Sequence, residues 1–94
     1  VSPVQTSERA CLIVNELGLH ARAATKLVQL ASKFTADVDV ENDGQVANAK
    51  SVMGVLLLCG GKGTQVTVRA RGEDAEAAVE AIAALIAGRF GEER

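Results

Sequence analysis

Residues 18–41, GLHARAATKLVQLASKFTADVDVE, change their hydrophobic period once, and that change decides the fold class. From Ala21 onward the apolar residues Ala24, Leu27, Val28, Ala31 and Phe34 recur at steps of three and four. Arg22, Lys26, Gln29 and Lys33 recur at similar steps on the opposite side. This spacing predicts an amphipathic helix with a basic outer face. Asp37 to Glu41 then alternates strictly, which predicts a strand with Val38 and Val40 facing inward.

Working outward, residues 9–14 are apolar and partly β-branched and predict a first strand, broken by Asn15 to His20 with Gly18 as the turn signal. After the 37–41 strand, Asn42-Asp43-Gly44 predicts a hairpin turn into a short strand over 45–49. The run 51–58 is too apolar for periodicity to decide, but Ser51 at its start is a good N-cap and predicts a short helix. Gly60 to Gly63 predicts a turn, and 65–70 alternates as a strand. Gly72-Glu73-Asp74 opens a last helix, its acids placed to complement the dipole. The stripe of that helix is Ala75, Ala78, Val79, Ile82, Leu85 and Ile86, and Gly88 ends it. Residues 1–7 and 91–94 are expected to be loose tails around a single domain, 8–90. The order β-α-β-β-α-β-α, with half-buried strands and one-striped helices, predicts an α+β fold. Its expected form is an open two-layer sandwich: a four-stranded antiparallel sheet with three helices on one face.

The whole chain has 94 residues, enough for one domain. It is 48% hydrophobic but has two aromatic residues, Phe34 and Phe90, so an aliphatic core is expected. The scarcity of aromatics argues against modules that stack bases. Ten basic residues against twelve acidic ones leave no basic excess for a polyanion, so no nucleic-acid partner is expected. Cys11 and Cys59 sit in apolar runs and read as buried free thiols in a reducing compartment. Together with one histidine they give no zinc spacing. The apolar run 52–59 is too short for a bilayer, and the start lacks a signal-peptide pattern. A cytoplasmic chain without membrane insertion is expected. Nor is there a cofactor motif: Gly60-Gly61-Lys62-Gly63 lacks phosphate-loop spacing and leads into a strand.

Chemistry is concentrated around His20. Taken alone, a histidine at a loop–helix junction is commonly a surface residue or a cap. Here it precedes a helix whose first N–H groups, those of Ala21 and Arg22 among them, are free to receive an anion. Arg22 can add a guanidinium fork for phosphate oxygens. A neutral imidazole is a nucleophile near neutral pH. Nucleophile, anion seat and charge clamp thus fall within three residues, a grouping suited to transient phosphorylation. Ser51 reads first as an N-cap hydroxyl; its alternative is a modification site whose phosphate the helix dipole would tolerate. Val52, Met53 and Leu56, with Lys26 and Lys50 nearby, form a candidate patch for acidic partner proteins.

Gly-Leu-His-Ala-Arg-Ala-Ala at 18–24 and Lys-Ser-Val-Met-Gly-Val at 50–55 resemble the two signatures of the HPr family, the histidine-containing phosphocarriers of the bacterial phosphoenolpyruvate-dependent phosphotransferase system. The likeness continues through 27–34 and 36–38 and spans residues 10–87. The resemblance implies the open-faced sandwich derived above. It implies that His20 accepts a phosphoryl group on Nδ1 from enzyme I and donates it to IIA-type proteins, with Arg22 beside it. It also implies that Ser51 is the serine modified in many bacteria by HPr kinase/phosphorylase. The rival is a regulatory module of the same family, nitrogen-type or independent of transport, acting through docking or serine phosphorylation. Three departures stand out. Ala23 replaces a usual proline, which leaves a less rigid first turn. Leu17 replaces a small polar residue beside the histidine. Leu12 and Val14 put apolar side chains on the outer sheet face if Cys11 and Ile13 point inward.

Overall fold

A computed structural model describes residues 5–58 and 60–94. Four strands, β1 (Thr6–Leu12), β2 (Asp37–Asn42), β3 (Gln45–Asn48) and β4 (Gln65–Arg71), and three helices, α1 (Ala21–Ala31), α2 (Val52–Leu57) and α3 (Ala75–Ala87), follow in the order β1-α1-β2-β3-α2-β4-α3. The sheet order is β1-β4-β2-β3 and every pairing is antiparallel. This is the expected open two-layer α+β sandwich in the expected order. Val38, Val40, Val66, Val68 and Ala70 turn to the helices and are buried, whereas Asp37, Asp39, Gln65 and Arg69 alternate with them and are exposed. On the open face Arg69 reaches Glu8, at 2.7 Å from Nε, and Glu41, so one guanidinium ties β1, β4 and β2 together.

The core is mostly aliphatic. Fully buried Ala23, Ala24, Ala31, Ala75 and Ala78 keep the facing sides of α1 and α3 small and allow close packing. The exception is Phe90, which lies past the last helix and is completely buried. Cys11 is buried and free, and burial pushes its thiol up from the usual value. The other cysteine, at position 59, lies outside the described residues.

Both ends correct the sequence reading. β1 begins at Thr6 rather than 9, pairing Thr6 with Arg71 through to Leu12 with Gln65, so two residues expected in the tail belong to the sheet. In this edge strand only Cys11 is buried, so its first half carries no apolar alternation; β4 sets its extent. Ile13 and Val14 lie beyond the strand, although Ile13 still bonds Thr64 and Gly63 through its backbone. As expected, Leu12 is exposed while Cys11 and Ile13 are buried; Val14, expected to be exposed with Leu12 on the outer face, is instead half-buried. At the other end, Arg89, Phe90 and Gly91 form a turn with φ of +60°, +55° and +79°. For the two non-glycine residues this conformation costs of order 1–3 kcal/mol each. Burial of the Phe90 ring and a 2.7 Å hydrogen bond from Lys26 Nζ to the Phe90 carbonyl hold the turn in place. Of the expected C-terminal tail, 91–94, Gly91 and Glu92 are therefore folded back against Lys26 and His20.

Asp74 also departs from its expected role. α3 starts one residue later, and the Asp74 side chain caps nothing in its own helix. Its carboxylate accepts hydrogen bonds from the Thr35 N–H (2.9 Å), the Ala36 N–H (2.8 Å) and the Thr35 hydroxyl (3.2 Å), fastening the start of β2 to the start of α3. The bond from the Thr35 backbone leads in holding this carboxyl below the usual aspartate value.

Candidate phosphoryl-transfer site

The turn before α1 is set by Gly18. Its φ is +64°, and a Cβ there would collide with the carbonyl oxygen of Gly60. Leu19 N–H donates to that same oxygen at 2.8 Å, so the turn is pinned to the loop before β4. His20 follows in extended backbone (φ −78°, ψ 176°) as the N-cap of α1. Its carbonyl accepts the Ala24 N–H at 2.8 Å, and its Nδ1 accepts the Arg22 N–H at 3.3 Å. Nε2, on the other side of the ring, meets the Glu92 carboxylate. An acceptor lone pair is thus required at Nδ1 and a donated proton at Nε2, which selects one neutral tautomer.

Asn15 supports this arrangement from below. It is fully buried, and its Nδ2 donates to the Gly18 carbonyl and to Glu92 Oε1, both at 2.9 Å. With two oxygen acceptors on that side, the amide orientation is fixed. Asn15 Oδ1 is buried without a hydrogen-bond partner among the described residues. The bond from Asn15 is the largest influence holding the Glu92 carboxyl below the usual glutamate value; neighbouring His20 and Arg22 act in the same direction, against burial. Arg22 itself is exposed, and its guanidinium makes no ion pair or hydrogen bond among the described residues.

Ser51 is the N-cap of α2, its Oγ accepting the Gly54 N–H at 3.2 Å. The other expected contact residues divide. Met53 is exposed, whereas Val52 and Leu56 are half-buried against the core. Lys26 and Lys50 are half-buried too, their amines donating to the carbonyls of Phe90 (2.7 Å) and Phe34 (2.8 Å). Leu17 and Leu57 are exposed apolar residues that the sequence reading did not assign to the patch. Asn15 and Glu92 were not singled out either. Glu92 lies 72 residues from His20 and stands in a polar terminus, where no spacing rule could connect the two.

The site is a histidine that caps a helix on an open-faced α+β sandwich. Residues 7–88 match the family model described as PTS HPr component, phosphorylation site. The phosphocarrier protein HPr of Cupriavidus necator is 48% identical over 85 residues, 90% of this chain and 96% of its own. The phosphocarrier protein NPr of Shewanella violacea is also 48% identical over 85 residues, covering 90% and 93%. The crystal structure of HPr-C-His from Thermoanaerobacter tengcongensis superposes with a TM-score of 0.90 at 44% identity, covering 94% of this chain and 99% of that one. The chain belongs to the HPr family of phosphocarrier proteins of the phosphotransferase system. No helix among the described residues is long and apolar enough to cross a membrane.

Proposed function

We propose that this chain is a cytoplasmic phosphocarrier that takes a phosphoryl group onto His20 Nδ1 from phospho-enzyme I and passes it to IIA-type proteins. The observation that carries the reading is the orientation of the ring. Nδ1 faces the first turn of α1 and accepts the Arg22 N–H at 3.3 Å, a contact that calls for a lone pair there. A phosphoryl group on that nitrogen would displace the weak Arg22 N–H contact. Its oxygens would take up the N–H groups of Ala21 and Arg22 and the positive end of the helix dipole. The unpaired Arg22 guanidinium is placed two residues on to add a charge-assisted contact. The chain needs no cofactor for this, because the phosphoryl group comes from one protein and leaves to another; it is a carrier rather than a stand-alone enzyme.

Docking falls to exposed Met53 and Leu57 on α2, which packs on α1, and to Leu17 beside the histidine turn. Lys26, Lys50, Val52 and Leu56 shape this surface from beneath. Ser51 would act as the regulatory position, phosphorylated by an HPr kinase/phosphorylase where the organism has one. A phosphate at this N-cap leaves the helix intact and changes the charge facing a partner. A nitrogen-type carrier is the second reading, favoured by the NPr relative, which is as similar as the HPr relative. Incubation with enzyme I and phosphoenolpyruvate, followed by intact-mass measurement, tests the proposal. One acid-labile, base-stable phosphoryl adduct is expected, absent from His20→Ala; an equal adduct on that variant contradicts it.

A further inference from the structure

The carboxylate of Glu92 sits on the ring nitrogen that the transfer reaction does not use. Its side chain is only 14% exposed, so it acts on the ring with less solvent screening than a surface ion pair. Oε1 is held by Asn15 Nδ2, and Asn15 is in turn held by the Gly18 carbonyl. The segment that delivers Glu92 is anchored independently, by the buried Phe90 ring and by Lys26 Nζ on the Phe90 carbonyl. A left-handed turn at Arg89 and Phe90, unfavourable for both residue types, is maintained to bring the carboxylate there.

We propose that Glu92, braced by Asn15, is a positioning residue for phosphoryl transfer: it holds the His20 proton on Nε2, so that Nδ1 is presented to the donor as a lone pair. The inference rests on the phosphocarrier reading above. In the transfer step the Nδ1 lone pair forms the new N–P bond. The bond from phosphorus to the donor breaks, and its electron pair stays on the donor. No proton has to leave Nδ1. The ring instead acquires positive charge, shared through Nε2–H with the Glu92 carboxylate, and that attraction is strongest when the charge has developed. In the return direction the same charged ring is the better leaving group, so one residue serves both uptake and donation.

The test combines ring spectroscopy with transfer kinetics on the full chain. In the wild type, ¹⁵N shifts of the neutral His20 ring should show the Nε2–H tautomer. Glu92→Ala should lose that bias and lower phosphoryl uptake at saturating phospho-enzyme I by about tenfold, with KM for the donor unchanged. Glu92→Gln keeps an acceptor oxygen without the charge; it should retain the tautomer and fall between the two in rate. An unchanged tautomer or an unchanged rate in Glu92→Ala overturns the proposal, as does a raised KM with unchanged turnover. If the wild type takes up no phosphoryl group, the phosphocarrier reading has failed and this proposal with it. A phosphorylated wild type beside an indistinguishable Glu92→Ala removes the positioning role alone.

Discussion

The amino termini of α1 and α2 are built alike. In each, an N-cap residue in extended backbone turns a side-chain acceptor onto a first-turn N–H, 3.3 Å from Arg22 N to His20 Nδ1 and 3.2 Å from Gly54 N to Ser51 Oγ. They differ in what lies behind the acceptor. The Ser51 hydroxyl ends at its cap bond. The His20 ring has a second nitrogen, and the fold brings Glu92 and Asn15 to it from the far end of the chain and from the turn after β1. Serine is among the best N-caps and histidine is not, so cap stability accounts for Ser51 before α2, whereas the proposed phosphocarrier role would account for His20 before α1. What distinguishes the two caps is therefore tertiary contact behind the ring, not the local turn.

The largest expected effect comes from making the two caps identical. His20→Ser should keep or improve the cap of α1, leave thermal stability unchanged or slightly raised, and abolish phosphoryl uptake altogether. A large fall in stability would mean that the imidazole is itself a structural cap. Next is Arg22→Ala. The guanidinium has no partner among the described residues, so the fold loses little, while transfer should slow at least tenfold, about 1.4 kcal/mol of barrier. Transfer at the wild-type rate would take Arg22 out of the site.

At α2 the effects should be smaller and of the opposite kind. Ser51→Ala should cost about 1 kcal/mol of stability, read by denaturant unfolding, with transfer chemistry intact. Ser51→Asp preserves the cap and adds charge; stability should hold while affinity for enzyme I falls several-fold, mainly through slower association at low salt. Unchanged affinity at low salt would leave Ser51 as a cap alone.

How much of this comparison the sequence revealed depends on distance along the chain. The alternation at 37–41 and the stripe from Ala24 to Phe34 identified β2 and α1, because each pattern is local and one-sided. The placement of His20 and Ser51 at helix starts was legible because a cap acts on N–H groups two or three residues away. The first half of β1 was not, since an exposed edge strand has no apolar period and borrows its register from β4. Glu92 was not legible either. Its role depends on a buried Phe90 and a left-handed turn, and neither leaves a periodic trace in Gly88 to Arg94.

The smallest effect sharpens the comparison on the α1 side. The Glu92 carboxyl is held below its ordinary value of 4.5, chiefly by the Asn15 hydrogen bond. A folded-state value below the unfolded one stabilises the closed C-terminal turn fully above the ordinary glutamate range. That contribution disappears as pH falls through the lowered folded value. An NMR acid titration of the Glu92 carboxyl carbon should show a midpoint below 4.5, with the hydrogen-bonded Gly91 and Glu92 amides losing protection over the same range. A midpoint at or above the ordinary value would mean that the contact with Asn15 does not hold in solution.

Which nitrogen carries the phosphoryl group is read directly by phosphorus–nitrogen spectroscopy of the ¹⁵N-labelled, phosphorylated chain. Coupling of the single phosphorus to His20 Nδ1, with the proton still on Nε2 at neutral pH, is the predicted result. A phosphoryl group on Nε2, where Glu92 sits, or on any residue other than His20, would contradict it.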